Sequence, residues 1–303
     1  MIELDVVVID TDNAEWHEAT QWAGAFIAGF RSAQTRRGYR RDLECWFAFC
    51  AVHELHPFRG LRRTHLELYL RQLELQDPAP ARATLYRRIS TISSWFRWLE
   101  DEEVMVGNPA ARVRRPQRHP SPQPWLNRNQ LTDLLAAAED EGGDVYALTC
   151  LLALNGLRVS EACGADVTDL GGTRYQPTLR VLGKGDKPAE VVLNPRTQQA
   201  IDGVTQGRHD GPLLRNEWRR RMQPHYAAAA LRRLARTADI RERVTPHALR
   251  RSYITIGLLQ GVPLRDMQRA ARHTKADTTV GYDQSDRSFH RDPTFVLMAA
   301  TAR

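Results

Sequence analysis

Lysine is almost missing from this chain. Lys184, Lys187 and Lys275 are the only three among 303 residues, and the other 40 of its 43 basic side chains are arginine. Long apolar runs are missing as well: no stretch approaches the roughly 20 apolar residues of a membrane-spanning helix, so no membrane partner is expected. The opening segment MIELDVVVIDTDNAEW is acidic and lacks the basic-then-apolar layout of a secretion signal. A cytoplasmic location is the expectation that follows. Four cysteines (Cys45, Cys50, Cys150 and Cys163) contain no CxxC pair. That spacing suggests neither a disulfide scaffold nor a zinc knuckle, and small buried thiols are expected. Internal repeats and low-complexity tracts are absent.

What is abundant is positive charge, unevenly laid out. The formal net charge is +7, yet the first 18 residues hold six acidic and no basic side chains. Residues 19 to 119 then hold 17 basic against 10 acidic side chains. An arginine-rich basic chain suits a polyanion, because the guanidinium fork matches phosphate oxygens in pairs. A GC-rich genome accounts for arginine bias equally well. Either way, a lysine that persists marks a place where arginine will not serve. The acidic start reads as a solvated tail or as a shield for the basic faces.

The length suggests two domains. In the first half, Leu43, Trp46, Phe47 and Cys50 form one helical stripe, with Arg36, Arg37, Arg40 and Arg41 on the opposite side. RTHLELYLRQLEL repeats the amphipathic pattern. In APARATLYRRISTISSWFRWLEDEE, Leu85, Ile89, Ile92, Phe96 and Leu99 point inward and Arg82, Arg87 and Arg88 outward. A solvated charged face explains any one such helix, but basic faces on successive helices of a bundle fit a nucleic acid better. The stretch VGNPAARVRRPQRHPSPQPW, rich in proline and arginine, reads as a basic linker. The expected organisation is an acidic tail over 1–15, a helical domain over 16–111, a linker over 112–124 and a second domain over 125–303.

The second half is mixed. Asparagines in LNRNQLTDLLAAAE are helix-cap candidates, and two apolar helices follow, interrupted at Gly156. PTLRVLGKGDKPAEVVLN reads as two short strands around a Gly-Lys-Gly-Asp turn. Helices are expected at about 196–206, 224–238, 246–260 and 263–271. The fold class is therefore mainly α with a small β-sheet: a helical N-terminal domain and a mixed α/β domain.

Four pieces of this half carry polar residues that packing does not ask for. Arg158 follows a glycine at a helix start, and Lys184 stands in the hairpin turn. His247 and Arg250 are three apart on one helix face, and Tyr282 lies nine residues beyond His273, between Gly281 and Asp283. Alone, each is ordinary. Together their chemistry agrees with transfer of a phosphodiester. Two arginines, Arg158 and Arg250, suit the charge that gathers on non-bridging oxygens. The Tyr282 phenol can form a stable phosphoester. With a pKa near 10 it needs nearby cations and a base, for which His247 is the candidate. A leaving alkoxide needs an acid, and Lys184 can give up a proton where an arginine cannot. No metal and no other cofactor is required by this arrangement.

The ordered set Arg158 in GLRVSE, Lys184 in GKGDK, His247 and Arg250 in HALR, then His273 and Tyr282, resembles the signature of tyrosine recombinases, the phage-integrase and Xer-type family. TRRGYRRDLECWFAF and RRISTISSWFRWLEDEEVMVGNPA resemble that family's core-binding helical domain, so the likeness spans roughly Trp16 to Asp283. The resemblance implies a C-shaped clamp around double-stranded DNA core sites and strand exchange through a 3′-phosphotyrosine and a Holliday junction. It also implies four protomers sharing the work on synapsed DNA, and a nucleoid association while on DNA. Tyr282 would be the nucleophile, Arg158 and Arg250 the phosphate clamp, and Lys184 the general acid. His247 would act in proton transfer, and His273 would hydrogen-bond the scissile phosphate. Expected DNA contacts outside this set are Arg36, Arg37, Arg40, Arg87 and Arg88, with the linker arginines Arg112, Arg114 and Arg115. Only about 15 residues precede the helical domain, so action on short core sites without an arm-binding domain is expected.

Two features set the chain apart. The family usually has Leu-Gly before its second histidine, where this chain has Ala271 and Arg272, which alters a tight turn and adds a charge. Past Tyr282, the apolar FVLMAATA needs burial, either on a neighbouring protomer, as the resemblance implies, or on its own domain. Three rivals remain at this level. A type IB topoisomerase or telomere resolvase uses a similar residue set, and a non-catalytic helical DNA-binding regulator explains the basic faces alone. A metal nuclease would draw on Asp166, Asp169 or Glu161, of which Glu161 better suits orienting Arg158.

Overall fold

A computed structural model describes residues 14–116, 124–173, 175–183 and 187–272. The chain divides between residues 121 and 122 into two compact units.

The N-terminal unit is built from α1 (Ala14–Ala28), α2 (Ala33–Val52), α3 (Arg63–Glu74) and α4 (Arg82–Asp101). Ser32 starts α2 by accepting a hydrogen bond from the Thr35 amide at 3.3 Å, satisfying one of the donors a helix leaves unpaired. The stripe Leu43, Trp46, Phe47 and Cys50 is wholly buried, as are Ile89, Ile92, Trp95, Phe96 and Leu99 of α4. Each large side chain so buried contributes about 1.5–3 kcal/mol. Trp46 packs edge-on against Tyr69 and Phe96. Its indole N–H, which would otherwise be stranded in that core, donates to the Pro57 carbonyl at 2.9 Å. Helix α1, not singled out from sequence, adds Ala19, Ala23, Phe26 and Ile27 to the same core. Val113 also joins it, inside the stretch read as linker.

Among the described residues, one carboxyl group is sealed into this unit. Asp42 of α2 is fully buried, accepting from the Thr91 hydroxyl at 2.9 Å and from the Arg87 guanidinium. Burial pushes the Asp42 carboxyl above its usual value, and the Thr91 and Arg87 contacts only partly offset it. The arginine faces are thus less uniform than the helical pattern suggests. Arg37 is exposed, while Arg36 and Arg40 are half-buried. Arg36 donates to the carbonyls of Phe30 and Arg31 at 2.9 and 3.1 Å. Arg88 is half-buried near Asp42 and Tyr69.

In the second unit, α5 (Arg128–Glu141), α6 (Gly143–Ala153) and α7 (Val159–Gly164) precede β1 (Leu170–Thr173), β2 (Gln176–Leu182) and β3 (Pro188–Val192). The chain continues through α8 (Pro195–Thr205), α9 (Pro224–Thr237), α10 (Pro246–Leu259) and α11 (Leu264–Ala270). Asn127 caps α5 in a reciprocal box with Gln130, both hydrogen bonds 3.0 Å long. Prolines open α8, α9 and α10, where a missing N–H costs nothing. Every residue of α6 from Ala147 to Ala153 is buried, as expected of a helix surrounded by others. α5, α7, α8, α9 and α10 pack on it.

The strands pair antiparallel in the order β1-β2-β3, with Leu179 opposite both Leu170 and Val191. The β2–β3 hairpin is legible in the sequence, but β1 is not. Its residues, LGGT, carry two glycines and no β-branched pattern. Gly172 has φ +82°, and a Cβ there would sit 2.2 Å from the Gln176 carbonyl oxygen. Among the described residues, no helix is long and apolar enough to cross a membrane.

Replacing Arg87 by alanine leaves the Asp42 carboxylate buried with Thr91 as its remaining named partner. The expected loss is about 1–3 kcal/mol, toward the lower figure because Arg87 is partly screened by solvent. Each kcal/mol should lower the melting point of a unit this size by about 4–8 °C. Arg37→Ala should leave the melting point in place. Equal melting of the two variants would show that Arg87 has no structural share.

Candidate active site

The site begins at a glycine. Gly156, in the turn after α6, has φ +60°, and a Cβ on it would lie 2.3 Å from the Tyr253 ring. No other residue fits both the backbone and the space. The turn delivers Arg158 to the N-cap of α7. The Arg158 amide donates to Glu161 Oε2 at 2.7 Å and its Nη1 donates to Glu161 Oε1 at 2.6 Å. With its side chain only 1 % exposed, Glu161 is an anchor inside the fold.

Arg250 arrives from α10, a helix that Thr245 caps by accepting from the Ala248 amide at 3.1 Å. Its guanidinium is buried and donates to the carbonyls of Gly156 and Ala271. Arg158 Nη2 reaches the neighbouring carbonyl of Arg272 at 3.4 Å. Arg272 itself turns back, its Nη2 donating to Glu161 Oε2 at 2.7 Å. Two guanidiniums, those of Arg158 and Arg272, therefore meet one carboxylate, while Arg250 braces the same turn through its carbonyls. A guanidinium carries five N–H donors, so Arg158 keeps donors for an anion after these anchors are made. The excess of positive charge favours one.

The charges decide how the acids and bases behave. Burial pushes the Glu161 carboxyl up, but the Arg272 charge and the hydrogen bonds from Arg158 and Arg272 outweigh it and hold the group below its usual value. His247 sits on the first turn of α10 and is open to solvent. Partial desolvation, then the charges of Arg251, Arg250 and Arg158, hold its imidazole below the ordinary value. Because the residue reaches water, the cations are the firmer cause. It is therefore neutral at pH 7 and able to accept a proton. Tyr253 is the tyrosine against Gly156, and it was not singled out from sequence. Burial raises its phenol above the ordinary value despite Arg272 and Arg250, which unsuits it as a nucleophile.

The structure thus brings Arg158, His247 and Arg250 into one neighbourhood. Lys184, His273 and Tyr282 lie outside the described residues. Lys184 is bracketed by Leu182 and Pro188, paired across the β2–β3 ladder. The carboxylates a metal nuclease would need are already engaged. Asp166 pairs with Arg221 at 2.5 Å, Asp169 with Arg180 at 2.9 Å, and Glu161 as above. Of the remaining arginines expected to meet DNA, Arg112, Arg114 and Arg115 are exposed, and Arg115 stacks over the Tyr86 ring. Arg272 was visible in the sequence as a departure, but its bond to Glu161, 111 residues away, was not. Glu161 had a signal, a carboxylate three residues after an arginine at a helix start.

Residues 124–288 match the phage integrase family, and residues 22–103 match the phage integrase N-terminal SAM-like domain. The chain is 34% identical over 268 residues to tyrosine recombinase XerC of Mycobacterium sp. (strain KMS), covering 83% of this chain and 88% of that one. Its fold resembles XerH site-specific recombinase bound to a palindromic difH substrate in a post-cleavage complex, with TM-score 0.72 and 16% identity over 91% of this chain and 84% of that one. It also resembles a lambda integrase tetramer bound to a Holliday junction, with TM-score 0.71 and 15% identity over 91% and 79%.

The cationic surroundings of His247 carry a direct expectation. An NMR titration of its ring protons should give a midpoint below about 6.5, and Arg251→Gln should move it upward by removing one repelling charge. A midpoint at or above the ordinary value in the unaltered chain would contradict the site's electrostatics.

Proposed function

Because the chain belongs to the phage integrase family of tyrosine recombinases, and is a site-specific recombinase acting on DNA, we propose that Tyr282 is its nucleophile and that Arg158, Lys184, His247, Arg250 and His273 complete the active site. The observation that carries this reading is the anchored pair Arg158 and Arg250. Both are held to the backbone at 271–272, immediately before the segment that contains His273 and Tyr282.

In the proposed reaction, the Tyr282 oxygen attacks the scissile phosphorus as His247 takes its proton. A new O–P bond forms to the 3′ phosphate, and the bond to the 5′ oxygen breaks. That oxygen leaves with a proton from Lys184. Arg158 and Arg250 balance the charge that builds on the non-bridging oxygens, and His273 donates to one of them. The bond energy is kept in the phosphotyrosine, so a 5′ hydroxyl from another strand can reverse the steps and reseal the DNA. No ATP is consumed. The arginines expected on the N-terminal unit and linker would mainly hold phosphates, positioning the duplex rather than reading its sequence. Arg87, already tied to Asp42, is the weakest of these.

The partner is a double-stranded core site, bound by a homotetramer on synapsed DNA. The lambda integrase relative is a tetramer on a Holliday junction, which supports that assembly here. The apolar segment from Phe295 onward is proposed to dock on a neighbouring protomer and couple the active sites.

The reading is tested with a nicked duplex carrying the attachment region beside this chain's gene, incubated in EDTA. An SDS-resistant protein–DNA adduct is expected with the unaltered chain and not with Tyr282→Phe. An adduct with both would place the nucleophile elsewhere, and none with either, despite binding, would favour a non-catalytic regulator. Relaxation of supercoiled plasmid without a core site would point to a topoisomerase. Deleting residues from Pro293 should weaken synapsis while sparing single-site binding; undiminished recombination would refute docking between protomers.

A further inference from the structure

Arg272 occupies a backbone position that suits glycine. Its φ is +55°, a left-handed conformation that strains any residue with a Cβ. A strained arginine persists where its side chain does something glycine cannot. Here the side chain is 13 % exposed and folds back across the turn. Its Nη2 donates to Glu161 Oε2 at 2.7 Å and lies 3.5 Å from the Gly156 carbonyl, and its Nη1 donates to the Ala270 carbonyl at 3.0 Å.

These contacts close a ring. Arg158 holds Glu161 through Nη1 and the Arg272 carbonyl through Nη2. The Arg272 guanidinium returns to the other oxygen of the same Glu161. Arg250 braces the turn from the other side, bridging the Gly156 and Ala271 carbonyls. Without the Arg272 side chain, Glu161 Oε2 keeps the Arg158 amide as its remaining named donor, and the turn loses its tie to Glu161.

We propose that Arg272 is a positioning residue, a strap from the turn at Ala271 and Arg272 to Glu161 that fixes Arg158 and Arg250 relative to each other. It acts through those two arginines and not by touching the phosphate. The planar fork reaches Glu161 through Nη2 and the Ala270 carbonyl through Nη1 together, which a lysine ammonium on its single stem does not reproduce. This inference rests on the active-site reading above.

The test uses the full chain at saturating concentration on the same nicked duplex, with either a normal or a methylphosphonate group at the cleavage position. The methylphosphonate has lost the oxygen charge that an aligned arginine pair balances. Arg272→Gly relieves the backbone strain and should keep DNA affinity. Its rate of adduct formation on the normal phosphate should fall by about tenfold or more, the scale expected of misaligned catalytic groups. On the methylphosphonate its deficit against the unaltered chain should shrink toward parity. Arg272→Lys should remain well below the unaltered chain on the normal phosphate. An undiminished rate in Arg272→Gly would overturn the proposal, and so would an equal deficit on both substrates, which would mark a general structural defect. Full activity in Arg272→Lys would show that charge alone suffices and overturn the strap geometry. Tyr282→Phe, run alongside, reports separately: an adduct there removes the active-site reading itself.

Discussion

The catalytic unit depends on one sealed carboxylate. Glu161 holds Arg158 by backbone and side chain and takes Arg272 on its second oxygen. An ionised carboxylate in such a place is costly unless its lone pairs are met by charged donors. The Asp42 carboxylate in the N-terminal unit shows the other side of that balance. With a hydroxyl and one guanidinium as its named partners, burial wins and its pKa rises; with two guanidiniums and an amide, Glu161 stays low. The same device therefore gives a protonatable tie between helices in one unit and a fixed negative anchor in the other.

Everything around Glu161 serves to deliver cations to it without letting them collapse onto it. The buried α6 forms the floor on which α5, α8 and α10 pack. Gly156 lets the chain leave that floor beneath the Tyr253 ring and presents a carbonyl to Arg250. Guanidiniums held by neutral carbonyls keep their charge uncompensated, whereas those held by carboxylates do not. The site uses both kinds of anchor, so positive charge remains for a phosphate even though the groups are packed.

Much of this was legible in the residues alone. The stripe Leu43, Trp46, Phe47 and Cys50 and its counterpart on α4 are buried as their spacing indicates. The expected helix near 224–238 is found at Pro224–Thr237 and the one near 246–260 at Pro246–Leu259, because a proline marks each start locally and Thr245 caps the second. What could not be read depends on distant partners. Arg87 looks like any outward arginine until Asp42, 45 residues away, is seen beneath it. β1 exists because β2 offers an edge, and its own Leu-Gly-Gly-Thr has no strand pattern. Arg272 registers in the sequence only as an odd substitute for glycine. The tie to Glu161 comes from tertiary folding.

The near-total replacement of lysine by arginine has a consequence for how the enzyme answers to acidity. A guanidinium does not lose its proton at any pH a folded protein survives, so the charge the arginines can offer a phosphate is constant across the neutral range. Curvature in a rate profile across that range then has to come from groups other than arginine, such as the imidazole of His247. On the proposed reading, holding the substrate and moving the proton are separable by titration in this chain.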